Sequence, residues 1–373
     1  VGRFLILIGA GLLCAAQSEN PQAILGRAIQ AQQAGRWEVA EREYRQLLKL
    51  RPDTPPEVRS NLGAVLVRMG RFEEAIAEYR AALAARPPNQ QIRTNLALAY
   101  YKALRLQEAI GELEKVRQAA PGDSDVLLLL ADCHLRLGEN KRVIALLSPI
   151  EHQAQWNRGI AYALGTALLR DNQIQRGQAL IDRILRDGES AEARLLMATA
   201  FTMTADFAGA LKEVKRAVEL NPKLPSVQSY FGMALMQTGD TPGAMEAFRR
   251  ELESNPTDFE ANLHLGSMLK QEMKLDEAQQ HLEMALRVRP GSLPVRYQLG
   301  ALHLAAGRTE EARKALEAVV AEAPQFLEAH VSLATVYYRL GRRADGDRER
   351  EIVRRITAER QAQQPGAKPE VRQ

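Results

Sequence analysis

Residues 259–290 read FEANLHLGSMLKQEMKLDEAQQHLEMALRVRP. Leu265, Gly266 and Leu269 fall on one face of a first helix, and Ala278, Leu282 and Ala285 on one face of a second. Both sets follow the i, i+3, i+4, i+7 spacing of an amphipathic helix. Pro290 closes the stretch, because proline cannot continue a helix. The stretch therefore reads helix, turn, helix, stop. No segment of the chain alternates apolar and polar residues strictly enough to argue a strand.

Gly266 is one of a series of small residues: Ala28, Gly63, Ala97, Ala131, Gly165, Ala198, Gly232, Gly266, Gly300 and Ala334. The intervals are 34 residues, except 35 before Gly63 and 33 before Ala198. A fixed period of this size marks a stacked array of identical supersecondary units. A second small series runs about one helix later through Ala40, Ala75, Ala109, Gly177, Ala210, Ala244, Ala278, Ala312 and Gly346, broken only by Val143. Small side chains let two helix backbones approach closely. Between the two series lie Gly35, Gly70, Gly138, Gly239, Gly307 and Gly341, where glycine fits a left-handed helix stop. Pro52, Pro87, Pro121, Pro222, Pro256, Pro290 and Pro324 separate most units.

These residues resemble the tetratricopeptide repeat family, whose pattern is an aromatic, Leu-Gly, Tyr, Ala, a second aromatic and Pro. Residues 56–87 are similar to it through Leu62, Gly63, Ala75, Tyr79 and Pro87, and residues 225–256 through Phe231, Gly232, Ala244, Phe248 and Pro256. The resemblance covers about residues 21–357 and implies an all-α, right-handed superhelical solenoid of about ten tandem helix-turn-helix units. The units start near 21, 56, 90, 124, 158, 191, 225, 259, 293 and 327. The chain departs from the pattern where the early aromatic is replaced by Arg59, Gln228, Asn262, Arg296 or His330. Pro149 falls inside an expected second helix and predicts a bend or a shortened helix there, with Trp156 near the junction.

The chain has 373 residues, and the repeat uses nearly all of them, so one solenoid is expected over 17–357. A net charge of +4 is small for this length and does not by itself argue for a nucleic-acid partner. Arg3, the apolar run Phe4 to Leu13 and the small residues Cys14, Ala15 and Ala16 have the layout of a secretory signal peptide over 1–16, with cleavage before Gln17. Export to the periplasm or surface of a bacterium is the expectation, with no stable membrane insertion after cleavage. Acylation of Cys14 or an uncleaved anchor is the alternative. Cleavage leaves Cys133 as the single cysteine, without an internal disulfide partner, and its place beside Ala131 reads as a small buried side chain. Charged residues after Gly341, with a thin apolar stripe of Ile352, Val353 and Ile356, fit a capping helix, and residues 358–373 read as a polar disordered tail.

The sequence carries no phosphate-cradling glycine loop, no Gly-x-Ser-x-Gly elbow and no His-Glu-x-x-His. The six histidines, His134, His152, His264, His281, His303 and His330, form no close pair at metal-ligand spacing. His303 and His330 stand where the family places aromatics, which reads as packing. The acid pairs Glu73–Glu74 and Glu310–Glu311 open second helices, where they complement the helix dipole. No catalytic residue, metal or cofactor is expected.

In the family the first helices line a concave face that holds a partner peptide or helix. Arg68, Lys102, Arg136 and Arg170 recur at 34-residue intervals and align as a basic row, either a solvated rim or a track for acidic groups. Tyr162, Thr166, Thr199, Tyr230, Met233 and Met236 form a neutral stretch further along, open both to a binding role and to packing between units. Some family members clamp a terminal carboxylate with Lys, Arg and Asn. Asn61 and Asn95 are present, but Ser60, Gln91 and Thr94 stand where that clamp needs positive charge. The reading is a non-enzymatic protein-interaction scaffold. A nucleic-acid-binding repeat is the rival, but the basic row stops at Met203 and Gln237. A non-catalytic subunit of an envelope enzyme or assembly complex is the other.

Overall fold

The computed structural model describes residues 20–84, 89–155, 157–185 and 188–362. The expected signal segment 1–16, Cys14, Pro87, Trp156 and the residues beyond 362 lie outside these residues. Twenty α-helices run as tandem antiparallel pairs among the described residues, with no strand. They fall into two compact units, one ending at Pro121 and one starting at Gly122.

The first unit holds three pairs: α1 (Pro21–Gln33) with α2 (Trp37–Leu50), α3 (Pro56–Arg68) with α4 (Phe72–Ala84), and α5 (Gln90–Lys102) with α6 (Leu106–Ala119). The second unit holds seven. They are α7 (Ser124–Leu137) with α8 (Asn140–Leu147), α9 (Arg158–Arg170) with α10 (Ile174–Leu185), and α11 (Ala191–Met203) with α12 (Phe207–Leu220). Then come α13 (Val227–Gln237) with α14 (Thr241–Ser254), α15 (Phe259–Gln271) with α16 (Leu275–Val288), and α17 (Leu293–Ala305) with α18 (Thr309–Glu322). The last pair is α19 (Leu327–Arg339) with α20 (Arg343–Ala362). Within each unit a helix packs against its pair partner and against the next pair, so the core is a chain of neighbour contacts.

The small residues mark the crossings. Ala28, Ala97 and Ala131 of the first series and Ala40, Ala75, Ala109, Ala244, Ala278 and Ala312 of the second have no exposed surface. At Gly63, Gly232, Gly266 and Gly300 the facing side chains are Tyr79, Phe248, Leu282 and Leu316, each close enough that an added Cβ would collide. Fully burying a side chain such as Phe248 contributes about 1.5–3 kcal/mol.

All ten intra-pair turns share one geometry. Each first helix ends in a left-handed residue, and the next residue's N–H reaches back to the carbonyl five positions earlier, as from Glu139 to His134 and from Lys274 to Leu269. Six turns use the expected glycines. The other four place Leu104, Asn172, Ala205 and Met273 at φ between 58° and 61°. The expected disturbance at Pro149 takes the form of a shortened α8, followed by a 3-10 stretch Ser148–Gln155 with Ile150 out of helical geometry. The C-terminal helix runs to Ala362, past the boundary expected at 357. No helix among the described residues is long and apolar enough to cross a membrane.

Candidate functional site

Tyr162, Thr166 and Arg170 lie four residues apart on α9, so helical geometry stacks them on one face. That face lines a cavity of about 110 Å³ in the second unit, together with Asp132 and Arg136 of α7, Tyr230 of α13, the 255–258 loop, Phe259 and Glu260 at the start of α15, and Arg289 just past α16. The Arg170 guanidinium donates from Nη2 and Nε to the Tyr230 hydroxyl at 2.8 and 3.2 Å. The phenol and the charge of Glu260 both favour the charged guanidinium against its burial. Burial pushes the Tyr162 phenol well above its ordinary range.

The cavity is closed from a distant part of the chain. Arg289 donates from Nε to the Arg136 carbonyl at 2.5 Å, ion-pairs with Glu260 at 3.2 Å and lies 3.6 Å over the Phe259 ring. Arg136 in turn reaches Thr257 Oγ1 at 3.3 Å and pairs with Asp132 at 3.1 Å. Burial, and secondarily the charge of Arg170, hold the Arg289 guanidinium below its usual value.

Tyr230 is aimed by an unusual helix start. Ser226 is left-handed (φ 64°) and shortens α13 to Val227. The freed N–H groups of Ser226 and Gln228 donate to the Glu251 carboxylate at 2.8 and 3.2 Å. Asp258 accepts from the Ser226 and Ser229 hydroxyls, both at 2.7 Å, and from the Ala261 N–H at 2.8 Å. Burial first, and then the Asp258 charge, raise the Glu251 carboxyl above the ordinary carboxylate range.

The structure brings Tyr162, Thr166, Arg136, Arg170 and Tyr230 around one recess. It places the other expected residues elsewhere. Arg68 and Lys102 sit at the ends of α3 and α5 in the first unit and are not among the residues that line this recess. Thr199 is buried and donates to the Leu195 carbonyl of its own helix at 2.9 Å. Met233 and Met236 pack against the cluster around Phe248 and Leu265. Sequence reasoning missed Arg289, Phe259, Glu260 and Glu251. No local signal marked Arg289, since Arg51 and Arg86 also stand directly before unit-closing prolines.

The other singled-out residues are held structurally. Cys133 is fully buried, and burial pushes its thiol up to about 12. His330 binds Glu349 and the Pro324 carbonyl, while His303 accepts from Arg308. Glu73, Glu74 and Glu310 pair with Arg105, Arg71 and Arg313. No group of three or more His, Cys, Asp or Glu among the described residues is placed to hold a metal.

Family models described as tetratricopeptide repeats match residues 25–90, 60–124, 162–225 and 231–292, and a second such model matches 102–157, 269–333 and 303–363. No curated protein matches the chain by sequence. Among solved structures the chain is similar to one in the APC/C hetero-tetramer Cut9–Hcn1, at 12% identity over 91% of this chain and 81% of that one, with a TM-score of 0.58. It is also similar to MamA, at 21% identity over 44% of this chain and 96% of that one (TM-score 0.38), and to yeast Tom70, at 15% identity over 91% and 76% (TM-score 0.39). At these identities the likeness is one of fold alone.

Proposed function

Because the chain belongs to the tetratricopeptide repeat family, a fold typically used to bind protein partners and usually non-catalytic, we propose that it is a non-enzymatic scaffold that holds a partner peptide or helix against its first helices. The observation that carries this reading is the recess of the second unit. Polar and aromatic side chains from α7, α9, α13 and α15 converge on a cavity there instead of closing over an apolar core. A wall ordered before binding lets a flexible segment dock with little ordering cost on the scaffold's side.

The same proposal places the protein outside the bacterial cytoplasm, in assembly of envelope machinery or secreted polymers. Only Arg3, the apolar run Phe4 to Leu13 and the small residues before Gln17 support export. N-terminal sequencing of the protein recovered from a periplasmic fraction should begin at Gln17. Recovery in the cytoplasm with the apolar run intact would remove this part.

The binding role is tested by capture from envelope extract with wild type, Tyr230→Ala, and Lys212→Glu on a second helix as control. Partners retained by wild type and the control but lost by Tyr230→Ala support the reading. Identical captured sets from all three would count against the inner wall as the working surface.

A further inference from the structure

We propose that the recess of the second unit is a pocket for a single carboxylate of the bound partner, gripped by Arg170, Tyr230 and Thr166. The inference rests on the scaffold reading and names what the partner presents. It differs in place and chemistry from the Lys/Arg/Asn clamp of the family, whose basic positions here are Ser60, Gln91 and Thr94 of the first unit.

Three observations converge. First, one cation of the recess touches no carboxylate. Asp132 pairs with Arg136, and Glu260 pairs with Arg289 at 3.2 Å. Asp258 is saturated by two hydroxyls and an N–H at the start of α15. Arg170 has no carboxylate at ion-pair distance among the described residues; its bonds go to a neutral phenol. The recess sets three arginines against Asp132, Asp258 and Glu260, yet the half-buried Arg170 meets only a phenol.

Second, unused donors face the cavity. Thr166 is 7% exposed, and its hydroxyl has no hydrogen-bond partner, although the Tyr162 phenol is near enough to feel it. A buried hydroxyl without a partner is costly and marks a place where a ligand atom belongs. The Tyr230 oxygen accepts from Arg170, which leaves its own proton to donate. The charge of Arg170 also helps to hold the Arg289 guanidinium below its usual value, a repulsion that an entering anion relieves.

Third, the size fits. About 110 Å³ has room for a carboxylate with its neighbouring methylene. The group comes either from a chain terminus or from an acidic side chain, and the test separates them.

The probes are acetate, acetamide, N-acetyl-leucine (a terminal carboxylate), N-acetyl-glutamic acid α-amide (a side-chain carboxylate) and inorganic phosphate, titrated at constant ionic strength against the full chain. The readout is the NMR signal of the arginine Nε–H groups. Acetate should move the Arg170 signal saturably while acetamide and chloride do not, and the tighter of the two larger probes names the source. Tyr230→Phe should weaken acetate roughly tenfold, the loss of one charge-assisted hydrogen bond. Arg170→Gln should abolish saturation with helicity unchanged by circular dichroism. If Arg170→Gln fails to fold, Arg170→Lys, which keeps the charge and loses the fork, should weaken binding without abolishing it. No acetate response beyond chloride, or phosphate binding more tightly than either peptide-like acid, would overturn the assignment. A captured partner that binds Arg170→Gln as well as wild type also overturns it while leaving the scaffold reading intact. Acetate titration with a captured set indifferent to Tyr230→Ala would instead sink the scaffold reading.

Discussion

The backbone of Gly232 lies so close to the ring of Phe248 that a Cβ there would stand 2.7 Å from Cε1. Phe248 is fully buried and cannot swing away without opening the α13–α14 crossing. Gly232→Leu should therefore overpack the crossing and cost about 1–3 kcal/mol. Gly26, in α1, has no neighbouring atom within 4 Å of the point where a Cβ would stand. Gly26→Ala should stabilise its helix by roughly 0.5–1 kcal/mol. Denaturation midpoints that shift in opposite directions check both, and an unchanged midpoint for Gly232→Leu would contradict the repeat register.

Met273 adopts φ of 60° at a turn where six other units place glycine. A left-handed side-chain-bearing residue costs roughly 1–2 kcal/mol, since its Cβ crowds the next carbonyl. Met273 is 63% exposed, so little burial is lost with its side chain. Met273→Gly should stabilise the second unit by about 0.5–1 kcal/mol after the added flexibility of the unfolded chain is subtracted. Met273→Ala keeps the Cβ and should gain nothing. Equal midpoints for the two variants would mean that the turn carries no strain.

That turn shows where sequence reading stops. Glycine announces the left-handed step, and the prolines announce the unit ends, because each acts through its own backbone. At Leu104, Ala205 and Met273 no local signal records the step, whereas Asn172 is a residue that adopts it readily. The α9 side of the site was legible in the same way, since Tyr162, Thr166 and Arg170 share a helix face. Its far wall was not: Arg289 reaches Arg136 across 153 residues, a contact that no repeat position encodes. Thr199 sat in register with Thr166, yet its hydroxyl bonds to its own helix. Register locates a residue on a face without deciding what its polar atom does there.

Glu251 gives the second unit a characteristic pH response. It is 2% exposed, and its folded carboxyl lies above the ordinary value of 4.5. The folded state therefore holds this proton at pH values where the unfolded chain has released it. The stability tied to it is present below 4.5 and is lost as pH rises through the folded value. Glu251→Gln cannot titrate, so its stability should fall less than that of wild type between about pH 4 and pH 7. The comparison is a double difference in denaturation midpoints, which cancels the titration of His264 and the surface acids. A wild-type trend of opposite sign relative to the variant would show that Glu251 is charged throughout and held by its N–H donors alone.

Arg289 ties the two ends of the recess together, and its removal should loosen them without disturbing the units beyond. Its Nε bond to the Arg136 carbonyl and its ion pair with Glu260 are both partly buried. A hydrogen bond to a charged group contributes about 1.5–3 kcal/mol. Arg289→Met keeps the apolar contact with Phe259 and removes both polar links. Amide exchange should then accelerate around residues 132–138 and 257–260, while α19 and α20 exchange as in wild type. Arg289→Lys keeps the charge but cannot serve the carbonyl and the carboxylate through one planar fork, so its protection should fall between the two. Exchange in Arg289→Met that matches wild type across 132–138 would mean that helix stacking alone holds the recess, with Arg289 resting on a wall already in place.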